Sequence, residues 1–110
     1  MNFNETDEFK KDFKRLSKKY MSLSDDLLEF KKVVTKFPFG NSKHFTALHI
    51  QENITIIKAR LFCRYLRGSS LRIIYAYNKD KQRIDFIEIY FKGDKEKEDR
   101  ARILKYYGKK

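Results

Sequence analysis

Ile56-Ile57-Lys58-Ala59-Arg60-Leu61-Phe62-Cys63-Arg64-Tyr65 is the stretch from which the fold can be read. At the two-residue period of a strand it sends Ile57, Ala59, Leu61 and Cys63 to one face and Lys58, Arg60 and Arg64 to the other. One face needs an apolar layer against it, and the other carries a basic stripe. A second strand with an internal arginine follows, Leu71-Arg72-Ile73-Ile74-Tyr75-Ala76-Tyr77, and a third reads Ile84-Asp85-Phe86-Ile87-Glu88-Ile89-Tyr90-Phe91. The links, Arg67-Gly68-Ser69 and Asn78-Lys79-Asp80-Lys81-Gln82, are short and polar. Strands over about 54–66, 70–78 and 83–91 are therefore predicted as antiparallel neighbours. The third has bulky residues on both faces, which predicts cover on both sides.

Working outward, Phe9, Phe13, Leu16 and Tyr20 recur at spacings of four, three and four, one stripe of an amphipathic helix. A second helix is predicted with Ser24 as its cap, Asp25 and Asp26 in its first turn, and Leu27, Phe30, Val34 and Phe37 along its apolar side, ended by Pro38 and Gly40. Only a few residues around Met21-Ser22-Leu23 join the two, so an antiparallel hairpin laid on the sheet is expected. From Asn41 to Asn53 the pattern weakens to a loop with a short strand or turn. Beyond Gly93, Asp94 is placed to cap a last helix, with Glu96 and Glu98 four residues ahead of Arg100 and Arg102, and Ile103, Leu104 and Tyr107 on its apolar side. The expected class is α+β. An N-terminal helical hairpin packs on a three- to four-stranded antiparallel sheet, with a short C-terminal helix, in a single domain over 1–110.

The 110 residues carry 26 lysines and arginines against 15 acids, a formal charge of +11. Such an excess points to RNA, DNA or an acidic protein as partner. No apolar run reaches the roughly 20 residues of a spanning helix, and the N-terminus lacks the order of a signal peptide, so a cytoplasmic protein without a membrane partner is expected. Cys63 is the single cysteine; on an apolar strand face it reads as a buried, inert thiol. His44 and His49 match no common zinc spacing, and no metal or cofactor is expected. The aromatic residues sit mostly at core spacing, so no base-stacking platform is anticipated.

Two stretches carry a resemblance. Gly68-Ser69-Ser70-Leu71-Arg72-Ile73-Ile74-Tyr75-Ala76-Tyr77 and Ile87-Glu88-Ile89-Tyr90-Phe91-Lys92-Gly93-Asp94-Lys95-Glu96, with Arg100, Arg102 and Ile103 after them, resemble the RelE/ParE superfamily of bacterial toxin components from type II toxin–antitoxin pairs. Members usually begin with a strand, whereas here only Met1 to Glu5 precede the first helix signal. The resemblance implies a toxin neutralised by a cognate antitoxin. The RelE-like branch, favoured here, cleaves mRNA without a metal, usually on the ribosome; the ParE-like branch inhibits DNA gyrase and has no nuclease activity. A catalytically inactive RNA-binding domain is a third reading.

Metal-free RNA cleavage needs cations around the scissile phosphate, a group to take the 2′-hydroxyl proton and a donor for the leaving oxygen. By resemblance Arg72 matches the strand arginine at that phosphate, Lys58 with Arg60 or Arg64 falls near the basic pair of the preceding strand, and Lys95 lies near the basic residue of the turn before the last helix. Lys58 beside two arginines is a candidate base. Tyr106 is the candidate aromatic of the last helix, while Tyr107, four residues from Ile103, reads as core. Arg64, Arg67 and Lys92 extend the surface as RNA contacts.

Overall fold

The computed structural model describes residues 1–67 and 69–108. Its elements, in chain order, are β1 (Asn2–Glu5), α1 (Asp7–Lys19), α2 (Leu23–Lys36), β2 (Phe45–Ile50), β3 (Ile54–Phe62), a 3₁₀ turn (Arg64–Leu66), β4 (Ser70–Asn78), β5 (Arg83–Phe91) and α3 (Arg100–Tyr107). Gly68, part of the turn read from the sequence, lies outside the described residues.

The α+β class stands, with a larger sheet than expected. It has five strands in the order β1-β5-β4-β3-β2, and it is mixed, because β1 runs parallel to β5 while the other pairs are antiparallel. The first strand is present in four residues, pairing Asn2 through Glu5 with Arg83 through Phe86. The weakly patterned stretch before Ile54 supplies β2, the opposite edge.

The helical hairpin covers one face of the sheet. Thr6 caps α1 by accepting from the Phe9 amide at 3.1 Å, and Asp7 and Glu8 occupy the first turn, where the helix dipole favours negative charge. The cap predicted at Ser24 lies instead at Ser22, whose hydroxyl donates to Asp26 Oδ2 at 2.7 Å, and Ser24 is inside the helix. Phe9, Leu16, Leu27, Phe30 and Val34 pack on Ala59, Leu61, Leu71, Ile73, Tyr75, Phe86 and Ile89 in the main core. Cys63 is buried there, as its strand pattern predicted.

A smaller core lies on the other face, where Ile103 and Tyr107 of α3 pack on Ile56, Ile74, Ala76, Ile87 and Tyr90. A bulge shapes this side. Ile74 pairs with Glu88 but Tyr75 pairs with Phe86, so β5 carries one extra residue there. Phe86 and Ile89 both face the helical hairpin, which leaves Ile87 and Glu88 together on the α3 side. The predicted cap of α3 also moves: the Asp94 and Lys95 amides turn back to the Phe91 carbonyl, and Asp99 caps the helix by accepting from the Arg102 amide at 3.0 Å. Glu98 thus precedes α3, and Arg102 turns to Asp12 of α1 at 2.7 Å.

Candidate nucleic-acid interface

The strand registers assemble a row of polar side chains on the face opposite the helical hairpin. Arg60 on β3 lies directly across from Arg72 on β4, and Arg72 directly across from Tyr90 on β5. Lys58, two residues before Arg60, shares its face. Like charges directly opposed across strands repel and destabilise the pair. Among the described residues neither Arg60 nor Arg72 has a carboxylate at ion-pair distance; Arg72 Nη1 donates instead to Ser70 Oγ at 2.9 Å. Burial, then the charge of Arg60, pull Arg72 below the ordinary guanidinium value. A bound anion would relieve both penalties.

The segment between β5 and α3 closes one side of this row. Buried Glu88 accepts from the Asp99 amide at 2.8 Å and from Lys95, whose ammonium lies 5.2 Å from the centre of the Tyr90 ring. Glu98, 7% exposed, takes Lys58 at 3.0 Å and Arg100 at 2.9 Å. Burial raises the Glu98 carboxyl, but its backbone hydrogen bond and the two cations outweigh burial and hold it below the usual range. Tyr90 is pushed up to about 12 by burial, then by Glu98 and Glu88, so its buried hydroxyl keeps its proton.

Lys58, Arg60 and Arg72 are therefore brought together, and Lys95 joins them across the Tyr90 ring. The other expected positions fall elsewhere. Arg64 is not on the strand, because β3 ends at Phe62; it opens the 3₁₀ turn and pairs with Asp26 of α2 at 3.5 Å. Arg67 follows that turn in the left-handed region at φ 48°, and Lys92 is exposed just beyond β5. Tyr106 does not join the row. Its hydroxyl bonds Glu8 at 2.8 Å, while its neighbour Tyr107 bonds Asp85, the cross-strand partner of Ala76. That places the two tyrosines about 13 Å along β4 from Arg72 at the ordinary strand rise. Tyr107 packs in the smaller core, as its spacing from Ile103 predicted.

Three residues were not foreseen as site residues: Glu98, Tyr90 and Phe62. The spacing of Glu98 to Arg102 suggested a helical pair, and only the folded turn carries Glu98 to Lys58. Phe62, by contrast, already sat in the alternation on the face of Lys58 and Arg60, and it is 59% exposed.

This order of strands, with two helices on one face and a short helix on the other, is a RelE-like fold. A solved structure that shares it is archaeal RelE in the RelE–RelB complex from Pyrococcus horikoshii, with a TM-score of 0.63 at 20% identity, covering 84% of this chain and 94% of that one. No protein-family model and no curated protein matches the sequence.

Proposed function

We propose that this chain is the toxin of a type II toxin–antitoxin pair, a metal-independent endoribonuclease that cleaves mRNA on the ribosome in the cytoplasm and is silenced by a cognate antitoxin. The observation that carries the reading is the Arg60–Arg72 pair, two directly opposed arginines without carboxylate partners among the described residues. The shared fold with a RelE bound to RelB supports the toxin assignment and the antitoxin partner.

In this reading the 2′-hydroxyl gives its proton to water and attacks the adjacent phosphorus, the bond from phosphorus to the 5′-oxygen of the next nucleotide breaks, that oxygen leaves with a proton taken from water, and a 2′,3′-cyclic phosphate forms. Arg60 and Arg72 hold the phosphate and stabilise the charge that grows on it. Lys58, paired with Glu98 at 3.0 Å, adds a cationic donor at the side of the row. Lys95 adds positive charge from the side of Tyr90. Tyr106 is tied to Glu8 and serves to hold α3.

The test is induction of the intact chain and of Arg72→Ala in a bacterial host, with growth followed and transcript 5′ ends mapped. Growth arrest with new codon-phased cuts is expected, and cleavage should fall by about 10²–10³ in the variant, the usual effect of losing one transition-state donor. Arrest without cuts would replace this reading with gyrase inhibition.

A further inference from the structure

Phe62 ends β3 with its ring in water, while its neighbours Leu61 and Leu71 are fully packed. It lies on the face of Lys58 and Arg60 and directly across from Ser70. Ser70 is also the residue to which Arg72 is anchored, through Oγ at 2.9 Å and the carbonyl at 3.4 Å. The ring is braced from the side by His44, with centroids 5.2 Å apart and planes at 86°. An exposed, positioned aromatic ring thus stands beside a pair of arginines with no carboxylate at ion-pair distance among the described residues.

We infer that Phe62 is the platform on which a base of single-stranded RNA stacks while that strand's phosphate lies on Arg60 and Arg72. This rests on reading the basic face as an RNA surface, and it goes further in naming how the strand is gripped. The two contacts demand a ligand with a planar apolar face and an anion about one strand repeat apart, roughly 7 Å from Phe62 along β3 to Arg60 and roughly 7–8 Å on the diagonal to Arg72. A nucleotide provides both in one unit. Stacking on an aromatic ring is tolerant of base identity, so Phe62 contributes affinity and register more than sequence choice.

The experiment uses the full chain and a set of 2′-O-methyl heptanucleotides, which lack the attacking hydroxyl, each with 2-aminopurine at a different position. Binding should quench the fluorophore at one position. Phe62→Leu should bind about five- to 150-fold more weakly without that quench, and Phe62→Trp should restore both. The salt dependence separates the two layers of the argument. Phe62→Leu should keep the wild-type slope of log affinity against log salt, whereas Arg72→Ala should flatten it by about 0.7, the loss of one phosphate contact on a single strand. Equal affinity and quenching in Phe62→Leu would overturn the stacking role and leave the RNA reading standing. Absence of salt-dependent binding by the intact chain would overturn both, and Phe62-dependent capture of an acidic peptide in that case would assign the ring to a protein partner.

Discussion

Replacing Arg102 with alanine should loosen α3 from the rest of the protein. No residue of this helix is fully buried, and Leu104 is 66% exposed, so polar contacts carry much of its attachment. Arg102 is the central one. Nη1 donates to Asp12 at 2.7 Å and to the Ile87 carbonyl at 2.9 Å, while Nε lies 3.8 Å from Glu8 and 3.9 Å from Asp99. The side chains of Arg102 and Asp12 are only 13% and 15% exposed. Breaking a buried pair by removing one partner costs about 3–5 kcal/mol, and an exposed pair is worth about 1 or less, so this nearly buried pair should cost about 2–4. At a urea dependence of roughly 2 kcal/mol per molar, the middle of the usual range, the denaturation midpoint should fall by about 1–2 M. Circular dichroism reads that midpoint, and amide hydrogen exchange reads whether α3 opens separately. If neither the midpoint nor the exchange of the α3 amides changes, the reasoning from burial and geometry is refuted.

Glu98→Gln should release Lys58 and Arg100 to a polyanion, so RNA affinity at low salt should rise and its salt slope steepen; an unchanged slope would place Lys58 outside the RNA surface. The Tyr106 hydroxyl bond, with Lys105 and Arg102 behind it, holds the Glu8 carboxyl below its usual 4.5. Because that folded value is depressed, its contribution to stability is present above 4.5 and lost as pH falls through the folded value. Tyr106→Phe should therefore lower stability more at pH 7 than at acid pH below the folded value, and NMR titration should show Glu8 moving back up. Phe9→Ala removes a fully buried ring stacked on Phe86 at 5.3 Å and should cost about 3–5 kcal/mol in chemical denaturation.

The parts of the fold that were legible in the sequence are those whose signal is local and periodic. The stripe from Phe9 to Tyr20 and the alternation from Leu71 to Tyr77 each require only that neighbours in sequence share a face. β1 was hard to read because Asn2 to Glu5 is strand only by virtue of β5, far along the chain. The start of α3 was misplaced because Asp94 and Asp99 offer the same local capping chemistry. The tight return of the Asp94 and Lys95 amides to Phe91, with Glu88 fastening the Asp99 amide, determines which one caps. The basic face of β3 and the arginine inside β4 were legible as local patterns, but their direct opposition came only with the strand register, and the carboxylate held against Lys58 depended on a turn whose course the sequence pattern does not encode.

The parallel seam between β1 and β5 joins segments that lie far apart in the chain. The amide of Thr6 reaches the Phe86 carbonyl, and its hydroxyl reaches Ile87, 81 positions later. During synthesis β1 waits without a partner until the residues up to Phe86 have been made, and Tyr90, Lys95 and Glu98 follow later still. A nascent chain therefore carries Arg60 and Arg72 before it carries the groups that frame them, and the surface is assembled only once Glu98 has been added.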